Sequence, residues 1–204
     1  MKKQMIKLIT LVTFFAISIG ARAQGEKTWS FGPEIGFNAT KFGNDAPDND
    51  TKVGLLAGAF ATYSIVNTFG ITGKVLYSQK GAEFNGNKTN LNYIEIPVIG
   101  RFFLVKEGAF RPNLFVGPSF GFLAGASSKV GDGDWVKIDD YKSSFNGFDF
   151  GVTGGIGLNY EIATETRLLL DARYTHGLSD VSVANGDVNN LAYAITVGVS
   201  FGIH

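Results

Sequence analysis

The sequence predicts an all-β fold, an eight-stranded antiparallel up-and-down transmembrane β-barrel, on three observations. Long segments alternate apolar with polar or small residues at a period of two. They are even in number, and the connections between them alternate short and long. Phe148, Phe150, Val152, Gly154, Ile156, Leu158 and Tyr160 share one face of an extended chain, against Asp149, Gly151, Thr153, Gly155, Gly157 and Asn159 on the other. Leu191, Tyr193, Ile195, Val197, Val199, Phe201 and Ile203 repeat the pattern against Ala192, Ala194, Thr196, Gly198, Ser200 and Gly202. A helical period of about 3.6 residues fits neither segment.

The chain opens on an export signal. Lys2, Lys3 and Lys7 precede an apolar run from Leu8 to Ile19, and Ala21-Arg22-Ala23 offers the small-x-small pattern that signal peptidase cuts, here before Gln24. The run is about a dozen residues, short of the roughly 20 that a membrane-spanning helix needs. Residues 1–23 are expected to be a cleaved signal peptide and residues 24–204 the barrel domain. The signal holds four of the 18 basic groups and none of the 18 acids, so the mature domain carries a formal charge of −4. Charged, glycine or asparagine residues interrupt every later apolar stretch before it could span a bilayer as a helix.

Strands are expected at 29–40, 52–65, 68–80, 91–105, 110–124, 146–161, 165–178 and 191–203, longer than the roughly 5–6 residues usual in soluble sheets. The connections after the second, fourth and sixth are tight, at Val66-Asn67, Lys106 to Ala109 and Ile162 to Thr164. Those after the first, third, fifth and seventh are long and polar, as at 43–51 and 125–145. This is the plan of an outer-membrane barrel, with both termini on the periplasmic side. A soluble up-and-down barrel shares the plan but keeps its apolar face inside.

The less apolar face decides between the two. It alternates single charges with glycine, serine and threonine, where a soluble surface would carry dense lysine and glutamate. Glu34, Lys74, Glu95, Arg101, Asp149, Arg167, Asp171 and Arg173 are assigned to it as a lumen charge network. A narrow lumen must be filled and neutralised, and buried charges persist only when paired. Glu34, Glu95, Asp149 and Asp171 are therefore expected to pair with Lys74, Arg101, Arg167 and Arg173. Glu95 and Arg101 stand six residues apart on one strand, about 20 Å, so each needs a partner from another strand. Arg173 is expected to meet Glu95 or Asp171, and Asp171 or another acid to meet Arg101. Aromatics gather at two levels: Trp29, Phe69, Phe110 and Tyr160 near the short turns, and Tyr77, Phe122, Phe148, Tyr174 and Tyr193 near the long loops. Such belts mark bilayer interfaces. Two features resist. Pro33, Pro97, Pro112 and Pro118 fall inside strands, which calls for bulges or strand ends. In the second strand, Leu56 and Phe60 share a face with Gly58 and Thr62.

Three segments resemble a known family. Leu91-Asn92-Tyr93-Ile94-Glu95-Ile96-Pro97-Val98 is similar to the Tyr-x-Glu-Ile-Pro strand of the PorT-like outer-membrane β-barrel domain family of Bacteroidota. Leu170-Asp171-Ala172-Arg173-Tyr174-Thr175-His176-Gly177-Leu178 resembles its penultimate strand, and Gly198-Val199-Ser200-Phe201-Gly202-Ile203 its ending. The resemblance implies a cell outer membrane location and insertion by the barrel-assembly machinery. One branch of the family is tied to protein secretion, a role that no residue here assigns to this chain. Pro97 is part of the family's motif.

Catalytic chemistry is sparse. With no cysteine there is no thiolate zinc site, cysteine nucleophile or N-terminal lipid anchor, and the balanced charge gives no footprint for nucleic acid. His176 with Ser179 and Asp180 imitates a triad, but neighbours at one strand end rarely reach the needed geometry. Asp45, Asp48 and Asp50, and Asp132, Asp134, Asp139 and Asp140, lack the spaced calcium loop with its closing glutamate. Gly155-x-Gly157 lies in a strand rather than before a helix, which excludes a dinucleotide site. No catalytic residue, cofactor site or metal site is assigned. The expectation is a small non-enzymatic barrel with a structural or interaction role, in contact with outer-membrane lipid and an outer-membrane protein partner. The alternatives are a small-molecule binding or transport barrel, whose lumen glycines could leave a cavity, and an accessory component of a secretion or assembly complex.

Overall fold

Among the described residues the period-two alternation becomes nine strands, eight of which close a ring. The structure is a computed structural model that describes residues 28–44, 46, 48–183 and 187–203; the expected signal peptide lies outside the described residues. The strands are β1 (Thr28–Asn44), β2 (Asp50–Val66), β3 (Phe69–Phe84), β4 (Asn87–Phe103), β5 (Phe110–Lys129), β6 (Val136–Ile138), β7 (Phe148–Ala163), β8 (Thr166–Gly177) and β9 (Val188–Ile203). Neighbours run antiparallel around the ring, β1 closes on β9, and β4 pairs with β5. Three-residue β6 adds to β5 through Ala126 to Ser128, outside the ring. Closure leaves no unpaired sheet edge in the membrane, where each lost backbone partner would cost several kcal/mol.

Alternation sets the faces. On β9, Tyr193, Ile195, Val197, Phe201 and Ile203 point outward while Ala194, Thr196 and Ser200 are buried inside. The outward aliphatic band is bracketed by ring pairs. Trp29–Tyr63 and Phe69–Phe102 stack at 4.8 and 4.7 Å near the short turns, and Phe122–Phe148 and Tyr174–Tyr193 at 5.6 and 4.8 Å near the loops. These are membrane-interface belts. Strand β2 resolves with Leu56 and Phe60 inside, 0% and 4% exposed, and Val53, Leu55 and Ala57 outside. Its lumen face therefore carries two large apolar side chains beside buried Lys52 and Thr62.

Pro112 lies just beyond the end of the β4–β5 ladder, and the other three strand prolines are absorbed by missing ladder pairs. The β1–β9 ladder skips Gly32 and Pro33, β3–β4 skips Ile96 and Pro97, and β4–β5 skips Gly117 and Pro118, while the ladder on each proline's other side continues. A residue without an N–H loses its bond on one flank only. The bulges lie elsewhere, at Thr51/Leu56, Ser64/Val66, Asn92/Tyr93 and Glu161/Ala163.

The connection after β3 is not long. Strands β3 and β4 run on to a two-residue turn at Asn85-Gly86, with φ of 49° and 79°. Positive φ at both positions matches the twist of a type I′ hairpin, and asparagine followed by glycine tolerates it best. The loop after β1 shrinks to 45–49 because both flanking strands continue beyond the expected bounds. Two substantial loops remain, between β5 and β7 and between β8 and β9, and they fold over the ring's mouth. Phe145 bridges Ser182, Asn146 Nδ2 donates to the carbonyls of Asp180 and Ser182, and Val183 N donates to Ser144 O. Beneath them Phe42, Leu91, Tyr93, Leu123, Ala126 and Val181 form an apolar cluster. The described loop residues thus form a packed lid at this end.

Candidate functional site

Inward positions of seven strands converge on two ion clusters. The lower one, nearer the short turns, is built on β1, β3, β4 and β8. Lys74 Nζ lies 2.8 Å from Glu34 Oε2 and 3.1 Å from Asp171 Oδ2. Arg101 takes Asp171 in a two-pronged grip, Nη1 to Oδ1 at 2.9 Å and Nη2 to Oδ2 at 2.7 Å. Its Nη1 also donates to Asn113 Oδ1 at 2.6 Å, and its guanidinium lies 4.8 Å from the Phe115 ring. The planar fork fits a carboxylate with both donors aligned, which a lysine could not match.

A missing side chain makes this grip possible. A Cβ at Gly157 would stand 2.4 Å from Asp171 Oδ1, 2.5 Å from Asn113 Oδ1 and 2.7 Å from Arg101 Nη1. Here the lumen glycine leaves room for a guanidinium, not for a ligand.

The upper cluster lies beneath the lid. Lys80 Nζ is 3.1 Å from Asp149 Oδ2 and 3.8 Å from Glu95 Oε2, and Arg173 Nη2 is 3.8 Å from Glu95 Oε1. Neutral donors complete the acids: Ser119 Oγ to Glu95 Oε1 at 2.9 Å and Asn190 Nδ2 to Asp149 Oδ2 at 2.8 Å. Each cluster sets two cations against two acids, so the interior charge cancels locally. Buried charges are tolerated on that condition. Between and around the clusters, Leu56, Leu76, Leu91, Tyr93, Glu95 and Arg101 are each 1% exposed or less. The lumen is occupied.

Of the eight charges assigned from sequence, seven meet in these clusters. Arg167 does not. It pairs with Glu161 at 2.7 Å, at the short-turn mouth, where the two side chains are 26% and 40% exposed. Residue 167 has the inward parity, but β8 begins at Thr166, so it sits at the rim. The sequence reading missed Lys80, which links Glu95 to Asp149. Its signal was parity with Lys74, extended through a strand that does not stop at residue 80. His176, Ser179 and Asp180 do not converge. His176 Nδ1 meets Tyr174 Oη at 3.1 Å on the outer face, Ser179 Oγ donates towards Asp149 at 3.4 Å, and Asp180 Oδ1 accepts from Ser182 N and Val188 N.

Below the lower cluster a vestibule of about 380 Å³ opens at the short-turn end, lined among others by Phe60, Phe103, Arg101, Arg111, Glu161 and Arg167. A larger recess of about 920 Å³ lies on the outer apolar face, among Ile35, Phe37, Ile156, Tyr174, Tyr193 and Ile195. Its lining is largely apolar, with Arg173 its one charged residue. Among the described residues no group of three or more histidine, cysteine, aspartate or glutamate side chains is placed to hold a metal ion.

Comparison with known proteins places this geometry. The model of a family described as outer membrane protein beta-barrel domain matches residues 22–183. Among solved structures, Neisserial surface protein A is 16% identical with a TM-score of 0.50, covering 84% of this chain and 96% of its own. Outer Membrane Protein W of E. coli is 11% identical with a TM-score of 0.50, covering 87% and 98%. At such identities the likeness is one of fold. No curated protein matches the sequence.

Proposed function

The chain belongs to the outer membrane protein beta-barrel domain family, and we propose that it serves in the outer membrane as a closed, non-enzymatic barrel that holds its loop end as a firm surface for a partner. One observation carries this reading: the interior is filled by locally neutral ion clusters and apolar side chains under a packed lid. Eight strands enclose a space that side chains roughly fill, and here charge, volume and loop packing all favour a plug over a conduit. The even number of ring strands leaves both ends of the barrel domain on one side, and in this reading that side is the periplasmic one and the lid faces outside, as is general for outer-membrane barrels. Cleavage before Gln24 belongs to the same proposal and is checked by the intact mass of the mature protein.

The strand Tyr93-Ile94-Glu95-Ile96-Pro97 and the segment Asp171 to Leu178 support a finer placement among PorT-like barrels of Bacteroidota, with insertion by the barrel-assembly machinery. A secretion or assembly complex is one setting for the partner. Photo-crosslinking in living cells from exposed Lys137 and Asp139 tests the reading against Lys106 in the opposite turn. A discrete protein adduct from the first two and none from Lys106 supports it; adducts from Lys106 alone, or none, would remove it. The vestibule favours a second reading, binding of a small periplasmic anion. Arg111 there rests 4.1 Å from the Phe103 ring and donates to the carbonyls of Asn67 and Val105. Calorimetric titration with small carboxylates tests that alternative.

A further inference from the structure

Among the described residues the buried cation outside both clusters is Lys52. It stands where the β2–β3 ladder is interrupted between Thr51 and Leu56. The ammonium donates to Asn90 Oδ1 at 2.8 Å and to Val53 O at 3.4 Å, and lies 5.9 Å from the Trp135 ring. The residue is 5% exposed. Lys74, Lys80, Arg101 and Arg173 each have a carboxylate within 4.0 Å; among the described residues Lys52 has none. A buried ammonium without a counter-charge is costly, so a ligand that brings one is favoured.

A recess of about 320 Å³ meets this ammonium, walled by Gln79, Asn90, Asn92, Ser127 and Trp135. Asn92 Oδ1 accepts from Tyr77 Oη at 2.9 Å and from Asn90 Nδ2 at 3.0 Å, which leaves the Asn92 Nδ2 donors for a ligand. Tyr77, Gln79 and Asn92 are on the outer, lipid-facing side: Tyr77 is paired with outward Ile94, and Gln79 with Asn92. Tyr77 belongs to the loop-side aromatic belt, and Gln79 stands two residues beyond it, about 7 Å further along the strand. That is headgroup height. Val53, 67% exposed, and Leu55 extend apolar surface from the rim of the recess into the lipid band.

From this juxtaposition we propose that Lys52, Asn92, Ser127 and Trp135 bind the phosphate-bearing sugar headgroup of an outer-leaflet glycolipid, the phosphate on the ammonium and the sugar ring against the indole. The assignment to the outer leaflet rests on the orientation proposed above. Binding in vesicles does not depend on orientation in cells, so the two can fail separately.

The test uses the mature chain carrying Trp29→Phe, which leaves Trp135 as the sole tryptophan. The protein is folded into phosphatidylcholine vesicles containing either a phosphorylated glucosamine lipid or the same lipid stripped of phosphate. The expected result is a saturable change in Trp135 emission with the phosphorylated lipid, at least tenfold weaker without the phosphate. Lys52→Gln should weaken it at least tenfold, and Lys52→Arg should retain it. Equal responses to the two lipids, or no effect of Lys52→Gln in a folded protein, would overturn the proposal. So would an equal response to inorganic phosphate in plain vesicles, which would mark a free-anion site. Should a Lys52 variant not fold, the two-lipid comparison on the unaltered site decides.

Discussion

Removing Arg101 alone should destabilise the barrel more than its partner's removal can account for once both are gone. The lower cluster sets Lys74 and Arg101 against Glu34 and Asp171, all nearly inaccessible to solvent. Arg101→Met keeps much of the stem volume but leaves two carboxylates on Lys74. Asp171→Asn leaves two cations on Glu34. Opposite charges about 4 Å apart attract by about 4 kcal/mol at an effective dielectric near 20, and stranding one member of a buried pair typically costs about 3–5 kcal/mol. Each single change should therefore lower unfolding free energy by about 3–5 kcal/mol. The double change restores balance, because Lys74 and Glu34 remain paired at 2.8 Å. Its cost should fall short of the summed singles by about 1–3 kcal/mol. Urea unfolding in vesicles, followed by tryptophan emission and the gel shift of folded barrel, measures all three. Additivity within about 0.5 kcal/mol would mean that the two side chains do not interact and that the cluster is drawn wrongly. The same cycle on Glu95 and Arg173, 3.8 Å apart, should give a smaller coupling.

Gly157→Ala should cost about 1–3 kcal/mol by forcing the guanidinium off its carboxylate, read in the same unfolding assay; wild-type stability would show that the cluster shifts freely. Val197→Arg, an outward position 44% exposed, should cost about 2–4 kcal/mol if near the bilayer midplane, whereas Arg167→Gln at the mouth should cost under about 1 kcal/mol. Equal costs would contradict the assigned faces. Protease added to whole cells should cut at 130–135 and spare 104–109, and the reverse pattern would invert the topology.

Legibility followed the physics of each segment. Alternation on Phe148 to Tyr160 and Leu191 to Ile203 was plain because lipid demands apolar residues at every outward position. The hairpin tip at Asn85-Gly86 was hidden by its own surroundings. Outside the bilayer no lipid enforces alternation, so Gly81 to Asn90 looked like loop although the backbone pairs throughout. That dipeptide is itself a turn signal. Lys80 was missed at the same boundary. Strand β2 was ambiguous because this lumen is mixed: Leu56 and Leu76 pack together beside the charges, so polarity alone cannot tell inside from outside. Parity placed Arg167 on the inner face but could not say that a position so near the strand's start lies at the open rim, paired with Glu161. Which acid meets which base depends on shear between strands distant in sequence, as in Lys80 with Asp149, and no local pattern encodes it.

Current through the purified protein in a planar bilayer tests the filled lumen most directly. With both ion clusters paired and Leu56, Leu76 and Tyr93 fully buried between mouth and lid, the folded barrel should insert without any steady single-channel current. A reproducible open level from the wild-type chain would contradict the closed interior and return the barrel to the transport class.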